Sequence, residues 1–178
     1  IEVLQIRNRL REILATVYPA RQAIGKLEVC VTGQDKGPER APSKGWKPFA
    51  AGQDWGGYDQ TTWFRMTAKI PAAWKGQTVV ALLRTTAGGF NEALAGLSAA
   101  GEALAYVNGV PAQGLDVNRD EVLLAARAKG GEQFAIALEA VPSVRWDAYH
   151  RFQYADIAVR RNEPWDFYWD IEVPLKVY

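Results

Sequence analysis

From Leu27 to Arg160 the chain is a succession of short β-favouring runs, each cut off by Gly, Pro, Asn or Asp before it can lengthen. The runs are Leu27–Val31, Thr62–Ile70, Thr78–Thr85, Leu104–Val107, Val122–Leu124, Phe134–Ala140 and Phe152–Arg160. Such spacing predicts about seven or eight strands in an antiparallel sandwich or barrel. The expected fold class is all-β. Asn108-Gly109 directly follows Leu104–Val107 and predicts a two-residue hairpin turn with positive φ. Between two long runs, Pro71 sets a turn, Trp74 covers the end of the sandwich and Gly76 lets the backbone return. Residues 91–101 are small and flexible and read as a loop, and no internal repeat is visible.

Composition narrows the function. A chain of 178 residues suits one domain and buries enough surface to fold without staples. Seven Trp, seven Tyr and six Phe accompany a single cysteine and a single histidine. Cys30 alone forms no intramolecular disulfide, and in a strand it reads as a small buried hydrophobe. His150 alone builds no histidine-rich metal or catalytic centre, and it reads as a surface or turn residue. A net charge of +1 gives no field of one sign, so neither nucleic acid nor an anionic membrane is expected as a partner. There is no apolar run of about 18 residues, no secretory-signal pattern and no glycosylation sequon, so a cytoplasmic location is expected.

The two ends differ from the middle. Ile6, Leu10, Ile13, Leu14 and Val17 recur at helical spacing, with Arg7, Arg9, Arg11 and Glu12 opposite, and Pro19 stops the pattern. Residues 1–27 carry a net +3, for which a solvated helix face is the plainer reading. The tail is open between two forms. Trp165, Phe167, Trp169, Ile171 and Val173 alternate as a strand would, yet Asn162-Glu163-Pro164 is a good helix start. Residues 162–178 carry a net −3 and could lie against the basic helix or face water. Their aromatics suggest a surface made for a neighbour. The expected organisation is a helix over 1–25, a β-sandwich over 26–161 and a linker segment over 162–178.

The segment from Trp46 to Leu124 is the least generic. Trp46-Lys-Pro-Phe49, Gly52-Gln-Asp-Trp55-Gly56-Gly57-Tyr-Asp59 and Thr62-Trp63-Phe64-Arg65 open it. Pro71-Ala-Ala-Trp74-Lys-Gly76 and Tyr106-Val-Asn108-Gly109-Val-Pro111-Ala-Gln113-Gly114-Leu-Asp116-Val-Asn118 follow. In this order and spacing the succession resembles the N-terminal domain of the glycoside hydrolase family 38 α-mannosidases, of the cytosolic and vacuolar type. The resemblance implies a jelly-roll, galactose-binding-like β-sandwich, with an amphipathic helix before it and a linker toward a catalytic domain after it. It implies that this catalytic domain carries an aspartate nucleophile and a zinc held by His and Asp. It also implies homo-oligomers of the parent and mannose-containing glycans as ligands. None of the zinc or nucleophile motif lies in this chain, so no cofactor and no catalytic residue is expected here.

Binding stays open. Trp55, Trp63 and Tyr106 could stack on a sugar ring, and Asp59, Asn108, Gln113, Asp116 and Asn118 could meet its hydroxyls. Against this, Trp63 and Tyr106 suit a β core, and Asp116 with Asn118 suits a loop closure. Gly56 and Gly57 beside Trp55 could form a knuckle pressed on a following domain. Asp54 and Asp59, the nearest thing to a carboxylate pair, read as turn residues bonding backbone amides. Gly88-Gly89-Phe90 is no phosphate loop, because no Gly-Lys completes it. An accessory domain, a self-sufficient carbohydrate-binding module and a purely structural domain are therefore the three functional readings.

Overall fold

The computed structural model describes residues 2–33, 41–57, 60–86, 101–116, 118–142 and 149–177. Helix α1 (Glu2–Val17) ends just before Pro19. Twelve strands follow among the described residues: β1 (Ala20–Ala23), β2 (Leu27–Gly33), β3 (Lys47–Phe49), β4 (Asp54–Gly56), β5 (Gln60–Lys69), β6 (Thr78–Arg84), β7 (Glu102–Val107), β8 (Val110–Leu115), β9 (Glu121–Ala125), β10 (Gln133–Val141), β11 (Tyr149–Arg151) and β12 (Tyr154–Arg160). Helix α2 (Asn162–Val177) closes the chain.

The strands are all paired antiparallel and form a four-stranded sheet, β1-β12-β6-β9, a six-stranded sheet, β3-β2-β5-β10-β7-β8, and a two-stranded pair, β11-β4. Alternation along each strand decides which side chains meet between them. Phe64, Met66 and Ala68 of β5, Ile70 just after it, and Ile136 and Leu138 of β10 face Val79, Ala81 and Leu83 of β6 in one buried core. Phe49 and Phe152 pack on Phe64, with ring centroids 5.2 and 4.9 Å away. The result is the expected β-sandwich.

The outer face of the four-stranded sheet is also covered. Val80, Leu82 and Ala158 are buried there beneath Tyr18 and Tyr154. The Tyr18 hydroxyl donates to Glu121 (2.6 Å), which also takes Arg160, while Tyr154 donates to Asp120 (2.6 Å). Arg21 pairs with Asp156 and lies 4.4 Å from the Tyr154 ring centre. Burial, then the bond to Asp120, pushes the Tyr154 phenol up to about 12. Burial, then the bond to Glu121, pushes Tyr18 up as well.

Four strands exceed the sequence expectation because they are too short to show a period: β1, β3, β4 and β11 have three or four residues each. Ala20–Ala23 pairs with β12, so the four-stranded sheet starts before residue 26. Asn108 (φ 51) and Gly109 (φ 79) form the two-residue turn joining β7 to β8, as their dipeptide predicts. The tail resolves to helix rather than strand, and α2 runs through Pro174 near its end. Asn162 anchors its start, donating to the Thr78 hydroxyl (3.3 Å) and accepting from Arg160 (3.1 Å).

Candidate functional site

Three regions gather chemistry-bearing side chains. The first is a clasp in which β4 pairs with β11, setting Trp55 opposite His150. Trp55 is 4% exposed, its ring centroid 4.9 Å from that of His150 and 5.6 Å from Phe64, and its Nε1–H donates to the Thr85 carbonyl (2.5 Å). A ring held on these sides offers no face to a sugar. His150 is buried rather than at the surface as its sequence context suggests, because the short β11 strand turns it inward over Trp55. Its Nδ1 lies 3.3 Å from the Thr86 hydroxyl. Burial holds its imidazole below the usual value, so the neutral ring is the form packed at neutral pH.

The clasp is tight. A Cβ on Gly101 would stand 2.9 Å from Trp55 Cη2. Gly56 (φ 108) and Gly57 (φ 139) take backbone angles that favour glycine, forming a sharp exit from β4. Asp54 bonds a side chain rather than backbone amides: Arg151 holds it through two contacts (2.8 and 3.2 Å) and keeps its carboxyl below the usual range. Asp59 and Gly88-Gly89-Phe90 lie outside the described residues, as does most of the 91–101 stretch.

The polar residues of the β7–β8 hairpin and the loop after it serve local structure. Asn108 Oδ1 accepts from the Ala135 amide (3.0 Å), tying the hairpin tip to β10. Gln113 donates to the Gly114 carbonyl (3.0 Å). Asp116 accepts from the backbone amides of Asn118 (2.7 Å) and Arg119 (2.9 Å), closing the loop before β9.

The second region is the outer face of the six-stranded sheet. Trp63 is fully buried there, stacked on Tyr106 at 5.8 Å, and its Nε1 has no hydrogen-bond partner. Tyr106 donates to Glu139 (2.8 Å). Cys30 is buried on the same face, its thiol 3.6 Å from the Lys44 carbonyl. Beside them opens a groove of about 490 Å³ between Trp46, Arg65 and the Gly109 turn. Sequence reasoning missed this groove as a site. The hint was the row Thr61, Trp63, Arg65, Thr67 alternating with core residues in one strand.

The third region is the helix pair. Helices α1 and α2 pack together, and Ile6, Leu10, Ile13, Phe167 and Ile171 line a groove of about 1010 Å³ between them. Leu10 and Val17 are buried, while Val3, Leu4, Ile6, Leu14, Phe167 and Val173 are exposed. The apolar stripe of α1 is therefore only partly covered, because the helix meets the sandwich at its C-terminal end, where the Arg161 amide donates to the Val17 carbonyl (2.9 Å). On α2, Trp165 stacks under Arg160 (4.3 Å) and packs edge-on to Trp169.

Among the described residues, no group of three or more His, Cys, Asp or Glu side chains could hold a metal ion. Nor, among them, is any helix long and apolar enough to cross a membrane.

Residues 25–170 match the family model described as the α-mannosidase jelly-roll domain. No curated protein matches the chain. Among solved structures, Faecalibacterium prausnitzii β-glucuronidase is similar at 10% identity and a TM-score of 0.54, over 82% of this chain and 32% of that one. Ruminococcus gnavus β-glucuronidase, in complex with D-glucuronic acid, is 14% identical over 80% of this chain and 30% of its own, with a TM-score of 0.47. The chain thus spans about a third of the glucuronidases it resembles. At such identities the likeness speaks for the fold alone.

Proposed function

The chain belongs to the α-mannosidase jelly-roll domain family, and on that footing we propose that it is the non-catalytic N-terminal accessory domain of an α-mannosidase. The parent would hydrolyse terminal α-mannosidic bonds of oligosaccharides in the cytoplasm, with zinc and nucleophile in its catalytic domain. The observation that carries this reading is the family match over 25–170, which takes in every strand of the sandwich but β1. Hydrolysis with retention requires two carboxyl groups about 5–5.5 Å apart on a bound sugar. Asp54 and Glu121 are instead engaged in structural pairs, with Arg151 and Arg160.

In this proposal the helix pair is the contact surface for the catalytic domain. A contiguous apolar patch of that kind on a domain is a docking surface by default. Phe167 is 52% exposed and lines the groove with Ile171. Phe167→Asp in the parent enzyme is expected to loosen the contact, so that limited proteolysis releases the domain at least tenfold faster. The sandwich itself should melt unchanged, because the side chain is outside its core. Equal release rates would remove this surface from the interface. Self-association of the isolated chain that Phe167→Asp abolishes would instead assign the surface to contacts between copies, the homo-oligomer reading.

A further inference from the structure

We propose that the groove on the outer face of the six-stranded sheet is a binding site for a neutral pyranoside. This goes beyond the accessory role and does not depend on it. The register of the sheet builds the groove. Glu28 of β2 pairs with Arg65 of β5, and Arg65 pairs with Ala137 of β10, so these three side chains share one row across the outer face. Thr67 and Ala135 form the next row. Ala135 and Ala137 are too short to fill the space between larger neighbours, and they leave a flat floor on which a ring can lie.

The walls are fixed before any ligand arrives. The Trp46 indole donates its Nε1–H to the Pro42 carbonyl (2.8 Å), and the Arg65 guanidinium sits 4.4 Å from its ring centre. Arg65 donates through Nε to Glu28 (2.8 Å), which leaves its two terminal nitrogens without a partner among the described residues. Lys26 lies 3.5 Å from the other Glu28 oxygen, and the hydroxyl of exposed Thr67 is also without a partner. Arg65, Lys26 and Thr67 thus supply donors, Glu28 and Thr67 supply acceptors, and Trp46 supplies apolar surface.

That combination selects the ligand. A sugar hydroxyl both donates and accepts, so it is matched by donors and acceptors set side by side. A phosphate carries one to two negative charges at neutral pH, and here it would face the Glu28 carboxylate, whose presence cancels one of the two cations. The size also suits: small-molecule sites run from about 300 to 1,000 Å³, and this one is about 490 Å³. An open site with one aromatic wall implies weak affinity, with Kd on the order of 1 mM.

The test is titration of the ¹⁵N-labelled 178-residue chain with methyl α-mannopyranoside, methyl β-glucopyranoside, glucuronate and inorganic phosphate. Saturable shifts from at least one neutral pyranoside, centred on residues 26–28, 46, 65–67 and 135–137, are the expected result. Ala137→Leu fills the floor beside Arg65 while keeping the Trp46 and Glu28–Arg65 side chains themselves, and it should weaken binding at least tenfold while leaving the melting temperature unchanged. Trp46→Ala should weaken binding as much by removing the wall. Three results would overturn the proposal: no saturable shift from either pyranoside, binding that Ala137→Leu leaves intact, or preferential binding of phosphate or glucuronate at these residues.

Discussion

Trp55→Ala is expected to cost the domain about 3–5 kcal/mol, the range for truncating a large aromatic in a packed core. The clasp depends on this one ring. Strand β4 has three residues, too few to persist by backbone pairing, and Trp55 is its buried member. Its removal would take from Phe64 and His150 their contacts with the indole and leave the Thr85 carbonyl without its indole donor. It would also open a hole beside Gly101, where the fit is so close that even an added methyl group would clash. The denaturant midpoint, with the slope unchanged, gives the value. A cost below about 1 kcal/mol, the ordinary level for a point change, would show that the clasp is peripheral to the fold.

The second large effect lies on the other sheet. Glu121→Ala should destabilise by about 3 kcal/mol, because it leaves the Arg160 cation and the Tyr18 hydroxyl without their shared acceptor. Both members of the ion pair are largely shielded, with side-chain exposures of 14% and 15%. Glu121→Gln, which keeps an acceptor for Tyr18, should recover part of the loss. The Arg9–Glu12 pair on α1 provides the contrast. Its side chains are 78% and 65% exposed, so Glu12→Ala should change stability by no more than about 0.5 kcal/mol. Equal effects at the two glutamates would mean that the Tyr18–Glu121–Arg160 cluster does not tie α1 to the sheet.

These two sites also show what the sequence discloses. Strands of five residues or more, such as β5, which the run Thr62–Ile70 largely matches, announce themselves because alternate side chains enter the core. The Asn108-Gly109 turn is equally plain, since few dipeptides accept two consecutive positive φ angles. The clasp is not plain. Three-residue strands carry no period, so nothing local tells Trp55, a buried anchor, from an exposed stacking ring. The tail shows the same limit from the other side. Its apolar residues satisfy two periods at once, and only the anchoring of Asn162 to Thr78 and Arg160 selects the helix. The groove was hidden for a different reason. Glu28, Arg65 and Ala137 are far apart in the chain, and only the register of β2, β5 and β10 makes them neighbours. The family resemblance rests on the order of whole motifs, and the family match over residues 25–170 bears it out.

The central claim is that this domain serves an α-mannosidase without performing its chemistry. The most direct measurement is the turnover of an aryl α-mannoside by the rigorously purified 178-residue chain, with and without added zinc. The account predicts no release of aryl alcohol above the uncatalysed rate in either condition. Zinc-dependent turnover that co-purifies with the chain through successive columns would contradict it.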